Sequence, residues 1–336
     1  QPIIRGMSGP RVKILKNGVV NRDVSGLGVD HLNDVDLHDI SQVEIVKGPS
    51  SLLYANGTIG GIINVVDDCI SALNYELPEI SVGYETQSVN DGNAENFNFK
   101  NNINGFNVNF GYKNIDFGNY DIPSGAILHE EEDHDDHDDH DEDEHHDEDM
   151  GFLNNSDYAV EATKFGISKV GDWGYVGFSV DNLESVYGIP FHGDEHGDEH
   201  GDEHGDEHGD EEEHDEHGEE RIFSTTDSES FTIKGSYNIN GSLINKIDFN
   251  YRDSDYSLTE AHEEEEHHEE DEHDEEEEHE EHAPTVFMNE AVEYGATFDI
   301  SNDSSTQKVV VNFVDEDNSI VGEEAFMNPA NSKEFT

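Results

Sequence analysis

Nineteen of the 21 histidines and 47 of the 82 acidic residues sit in three segments, 129–149, 192–220 and 260–282, which contain no Lys or Arg and one apolar residue, Ala261. The second repeats His-Gly-Asp-Glu, so that His192, His196, His200, His204 and His208 recur every four positions. The first carries His134, His137, His140, His145 and His146, and the third His262, His267, His268, His273, His279 and His282. Imidazole titrates near pH ~6.5 and is largely neutral at physiological pH, hence free to ligate. Imidazole mixed with carboxylate suits zinc, copper and nickel, and by ligand type zinc or nickel is preferred over ferric iron or calcium. Spacing of four would align the repeat on one helix face. A glycine in each repeat costs about 1 kcal/mol against alanine and the like charges add to it, so no helix is expected without a ligand. Such tracts concentrate an ion rather than select it, because each site must offset the entropy of ordering its chain. The plainer reading is solvated acidic loops, but carboxylates alone would serve that purpose without the histidines.

The positions that could select lie elsewhere. Outside the tracts, Asp30-His31 is one of two adjacent carboxylate–imidazole pairs, the other being His38-Asp39. It closes the loop Ser25-Gly26-Leu27-Gly28-Val29-Asp30-His31 and makes Asp30 and His31 candidate inner ligands. The other reading is a hydrogen-bonded loop pair.

Overall charge excludes one partner class. Sixteen basic residues against 82 acidic give a formal −66, so a nucleic acid, whose backbone is bound by Lys and Arg, would be repelled. Removing the tracts leaves −19 on 263 residues, about two-fifths of them apolar, enough to build a structure. A single cysteine, Cys69, allows no intrachain disulfide and no thiolate cluster. No apolar run approaches the ~20 residues of a membrane helix. No nucleophile–base spacing or phosphate loop is present, so no catalysis and no catalytic cofactor are expected. Gln1 is not an initiator Met and residues 1–5 read as strand, as expected of a piece of a longer chain.

Two textures divide the chain. Residues 1–70 read as a small mixed α/β unit. Val12 to Leu15 ends at the turn dipeptide Asn17-Gly18, and Ile40 to Val46 is stopped by Gly48-Pro49. Ser50 to Tyr54 gives a serine-capped helical turn, and Gly60 to Val66 a buried strand. From 79 to 336 the chain alternates apolar and polar, as in Phe106, Val108, Phe110 and Tyr112 or Ile247, Phe249 and Tyr251, giving about nine strands. Tight turns at Asn104-Gly105, Gly171-Asp172, Asn240-Gly241 and Ser301-Asn302-Asp303 alternate with longer connections, and the tracts fall in the long set. By parity an up-and-down sheet then sends every tract to one side, the pattern of a transmembrane β-barrel rather than of a soluble sandwich.

The first domain also resembles a known family. Ile4-Arg5-Gly6, Arg11-Val12-Lys13-Ile14-Leu15, Val43-Glu44-Ile45-Val46-Lys47-Gly48-Pro49-Ser50-Ser51-Leu52-Leu53-Tyr54 and Ile59-Gly60-Gly61-Ile62-Ile63-Asn64-Val65-Val66 are similar to the plug domain of TonB-dependent outer-membrane receptors. The resemblance implies a mainly β fold, a plug followed by the first antiparallel strands of an incomplete transmembrane barrel. It implies location in the outer membrane of a Gram-negative bacterium, contact with lipid, and energy from the TonB-ExbB-ExbD complex. A similar Asp-His pair occurs in plugs of the family's zinc-type receptors. With the tracts read as external loops, the expected cargo is a divalent transition metal, zinc before nickel or copper. Glu323, at the external end of a strand, is a candidate third ligand. An iron-siderophore or haem receptor with acidic loops is the nearest alternative, and a soluble acidic metal-buffering β protein the next.

Overall fold

The computed structural model describes every residue except 1, 25–30, 34, 38, 56, 125, 127–150, 191–220, 240, 242, 264–282, 303, 323 and 324. Residues 2–8 form a tight turn closed by an Ile4–Met7 bridge, not the strand expected there.

The N-terminal unit is a four-stranded sheet of β1 (Val12–Lys16), β2 (Val19–Val20), β3 (Ile40–Val46) and β4 (Gly61–Asp67), in the order β2-β1-β4-β3. β1 and β2 form a hairpin about Asn17-Gly18, β4 runs parallel to β1, and β3 is antiparallel to β4. Val12, Leu15, Val19, Ile62 and Val65 supply its buried apolar residues. Glycine is required where β4 begins, because a Cβ on Gly60 would press on Val12 and one on Gly61 on the Val46 carbonyl oxygen. Both glycines therefore serve the packing of the sheet. Helical content among the described residues is two 3-10 turns, Gly9–Arg11 and Pro49–Leu53. The second begins after Gly48 without a side-chain cap, and the Ser51 hydroxyl instead donates back to the Gly48 carbonyl at 2.8 Å.

The second unit is one antiparallel sheet of ten strands. They are β5 (Glu79–Gln87), β6 (Gly92–Ile103), β7 (Phe106–Phe117), β10 (Tyr158–Gly171), β11 (Gly174–Gly188), β12 (Arg221–Asn238), β13 (Lys246–Glu263), β14 (Thr285–Asp299), β15 (Lys308–Val321) and β16 (Ala330–Phe335). A separate short hairpin, β8 (Tyr120–Asp121) with β9 (Phe152–Leu153), lies between β7 and β10 in sequence. Every neighbour in the large sheet is that sheet's next strand in chain order, the up-and-down arrangement, and β5 and β16 are open edges. Nine strands were expected, and β16 is the tenth.

The β6–β7, β10–β11, β12–β13 and β14–β15 connections lie at one rim, and the short β5–β6 turn lies at the other. The turn Asn104-Gly105 has positive φ at both residues, 54° and 82°, the geometry that matches strand twist in a two-residue hairpin. With the β10–β11, β12–β13 and β14–β15 connections it marks the short-turn rim. Strand direction then puts the other rim at the connections that contain 127–150, 191–220 and 264–282. The expectation of tracts beginning at residue 260 needs one adjustment. β13 continues to Glu263, so Glu260 and His262 lie on the strand, in register with Ser224 and Ile222 of β12.

The sheet's two faces differ, and they exchange character part-way up. Near the short-turn rim the outward positions are apolar: Val176, Phe178 and Val180 on β11, Phe231 on β12, Tyr294 on β14, all exposed. Aromatic rings run in unbroken succession across five strands, from Phe178 to Phe231 (6.2 Å), Tyr251 (6.4 Å), Tyr294 (5.3 Å) and Phe313 (5.8 Å). The inward positions there are polar, including Ser179, Arg252 and Glu293. Beyond Tyr251 the outward positions turn acidic. Glu161, Glu184 and Asp227 stand directly opposite one another on β10, β11 and β12, and Glu229, Asp255, Glu290 and Asp317 do so on β12 to β15. At the same level the apolar side chains move inside. Tyr187, Ile189, Ile222, Tyr256, Leu258, Phe287 and Ile320 form a buried cluster with Val24 of the N-terminal unit.

The N-terminal unit lies against the inward face. Gly166 of β10 permits its closest approach, since a Cβ there would meet the carbonyl oxygen and sulfur of Cys69. Gly166→Ala is expected to destabilise the protein by about 1–3 kcal/mol through overpacking. A melting temperature lowered in Gly166→Ala but unchanged in outward-facing Thr163→Ala is the check.

Candidate functional site

Among the described residues six ion pairs join the N-terminal unit to the wall. Arg22, just after β2, is the centre of the strongest. Its Nε and Nη2 donate to Oε1 of Glu293 at 2.8 and 2.6 Å, and its Nη1 to Oε2 of Glu316 at 2.9 Å. All three side chains are less than one-fifth exposed, so solvent screens them poorly. Lys16 donates to Asp181 at 2.7 Å, Lys100 to Asp39 at 2.9 Å, and Asp36 lies 3.6 and 3.8 Å from Lys113 and Lys164. The sequence reading missed this clasp, for nothing near Arg22 pairs with it locally: its partners are 271 and 294 positions away.

Asp67, at the end of β4, is held in place by the same network. Burial alone would raise its carboxyl pKa, but Lys16 and Lys164, the Asn17 amide and the Cys69 backbone N–H hold it below the ordinary 3.8. Burial likewise pushes the Cys69 thiol well above 9.0, so it is no thiolate ligand at neutral pH. A lowered folded value means that Asp67 contributes its full stability above pH 3.8 and loses it as pH falls further. Thermal unfolding followed down from pH 5 should therefore show a steeper loss in the parent protein than in Asp67→Asn.

His31 sits where the N-terminal unit meets the inward apolar cluster. It is 7% exposed, and its ring meets Phe287 edge-on with centroids 5.7 Å apart. Phe287 is in register with Leu258 of β13. Two positions further toward the long-loop rim comes Glu260, 7% exposed and inward-facing, and two beyond that His262. At ~3.3 Å per residue, His262 is about 13 Å up the strand from Leu258. The wall therefore presents an imidazole and a carboxylate in sequence between the rim and His31. Glu260 was not singled out from sequence, where it reads as the first acid of a long acidic run.

Asp30 and Glu323 lie outside the described residues, as do His134, His137, His140, His192, His196, His200, His204, His208, His267, His268 and His273. Among the described residues no three His, Cys, Asp or Glu side chains converge as metal ligands.

Residues 1–62 match the family model described as TonB-dependent Receptor Plug Domain. Residues 1–62 are thus similar to the plug of TonB-dependent receptors, and the fold of the described chain is that of solved outer-membrane transporters. Among curated relatives it is similar to a protein named Vitamin B12 transporter BtuB of Vibrio vulnificus, 29% identical over 85 residues, 25% of this chain and 14% of the relative. It is also similar to a hemin receptor of Yersinia enterocolitica, 34% identical over 87 residues, 25% of this chain and 12% of the relative. Among solved structures, the Copper transporter OprC superposes with a TM-score of 0.63 at 11% identity over 98% of this chain. The FrpB iron transporter from Neisseria meningitidis does so with 0.59 at 12% identity over 96%. The chain covers 43% of each of those structures. At these identities the structures establish the fold. The named relatives are transporters and receptors, not enzymes, and the receptor type belongs to the Gram-negative outer membrane. The apolar outward band with its aromatic row is the face such a wall turns to lipid.

Proposed function

We propose that this receptor imports a divalent transition metal, zinc first among the candidates, and that its histidine- and acid-rich tracts gather the ion at the cell exterior. The observation that carries the reading is that all the strands bracketing the tracts end at one rim, the rim from which Glu260 and His262 lead down the inner wall. Ions collected by charge and weak ligation would pass along these groups to His31 and Asp30 of the plug, with Glu323 as a further candidate ligand. Release to the periplasm would require plug rearrangement driven by TonB-ExbB-ExbD, since an outer membrane has no nucleotide supply. The solved copper transporter supports a metal cargo by analogy. Likeness to the hemin receptor over 87 residues favours a second reading, haem.

Uptake of radioactive zinc, by cells whose sole high-affinity zinc importer is the full receptor, tests the choice. Saturable uptake undiminished by excess haem or ferric chelate is the expected result. Zinc uptake no greater than in cells lacking the receptor, together with haem-dependent growth, would replace zinc by haem.

A further inference from the structure

The plug and the wall enclose a second polar site between β1, β4 and strands β11 to β13, well below His31 and toward the short-turn rim. Its charged lining is Lys16, Lys234 and Arg252 against Asp67 and Asp181. Lys16 is paired with Asp181, and Asp67 is bonded to Asn17 and to the backbone at Cys69. Lys234 and Arg252 make no hydrogen bond and no ion pair among the described residues, although Arg252 is only 7% exposed and its Nε is buried without a partner. They are diagonal neighbours, Lys234 being in register with Asn250 and Arg252 with Thr232, so the two side chains leave the inner wall from positions roughly 7–8 Å apart. Leaving the buried Arg252 charge without a hydrogen-bonding partner is costly. Three cations and two carboxylates line the space itself, while Asp248, Glu44, Asp68 and Glu293 act on Lys234 and Arg252 only by longer-range attraction.

We propose that this pocket binds one monovalent halide, chloride in the cell, held by the Lys234 ammonium and the Arg252 guanidinium with Thr232 as a hydroxyl donor. The space admits only one or two water-sized particles, which suits chloride and excludes phosphate or an organic anion. The bound ion gives the Arg252 and Lys234 donors a partner and ties β12 and β13 to the plug through the Lys16 ammonium. This role is independent of the transported cargo, and it places an anion inside a chain of net charge −66, whose exterior would repel it.

Bromide is the probe. Crystals of the full receptor soaked in sodium bromide should give an anomalous peak within hydrogen-bonding distance of Lys234 Nζ and the Arg252 guanidinium. The peak should vanish in Lys234→Met, and in Arg252→Met if that variant crystallises. In parallel, exchange of chloride for gluconate at constant ionic strength should lower the melting temperature of the parent by several degrees and leave Lys234→Met unchanged. A parent crystal with no anomalous peak at this pocket under saturating bromide, or an equal chloride dependence in parent and Lys234→Met, would overturn the proposal.

Discussion

Arg22→Met should loosen the plug more than any other single change in the described residues. The substitution keeps a comparable side-chain volume but strips three charge-assisted hydrogen bonds from Glu293 and Glu316, both less than one-fifth exposed. Removing one partner of a buried ion pair costs about 3–5 kcal/mol, chiefly because the surviving charge has nothing to compensate it. Here two carboxylates survive. The expected result is a lower melting temperature and protease access to the plug, with the wall strands still protected. Glu293→Gln and Glu316→Gln added to Arg22→Met should recover most of the loss, since neutral amides tolerate burial better than carboxylates. Unchanged protease resistance in Arg22→Met would mean that apolar packing alone holds the plug.

Replacement of the eighteen tract histidines other than His262 by alanine, with every acid left in place, should raise the zinc concentration for half-maximal uptake on the order of tenfold. Its maximal rate should stay the same. Weak ligands act together by raising the local ion concentration, an advantage that disappears once external zinc saturates the inner site. His31→Ala should do the converse, lowering the maximal rate at saturating zinc while leaving cell-surface zinc binding intact. Measuring uptake and surface-bound zinc on the same cells separates the two roles. Equal half-saturation in parent and tract variant would remove the gathering function, and an unaltered maximal rate in His31→Ala would remove the inner ligand.

Much of this architecture was legible in the residues. Alternation in β7, β10 and the lower half of β13 follows directly from one face meeting lipid and the other the plug. Turn dipeptides such as Asn104-Gly105 fixed the parity that sends the tracts to one rim. What escaped was the upper wall. On β13, Ile247, Phe249 and Tyr251 face out, whereas Tyr256 and Leu258 face in. The apolar parity therefore slips by one between residues 251 and 256, although the strand does not bulge there. A reading that follows apolar periodicity ends the strand at the slip. The signal was present as a shift from odd to even positions, and Ile222 against Phe231 on β12 repeats it. The clasp about Arg22 was illegible for a different reason: ion pairs between residues hundreds of positions apart leave no local pattern.

The exchange of faces sets a height. From Asp253 to Glu263, β13 continues for eleven residues beyond its last lipid-facing aromatic ring. With a rise of ~3.4 Å and a tilt near 40°, that is roughly 28 Å of free-standing palisade. The Debye length under physiological salt is about 8 Å, so the anionic headgroups below are several screening lengths from the palisade's crest. Cation capture at the crest should therefore be indifferent to how strongly charged the surrounding leaflet is, and the same cells should scavenge equally well whatever lipid they make.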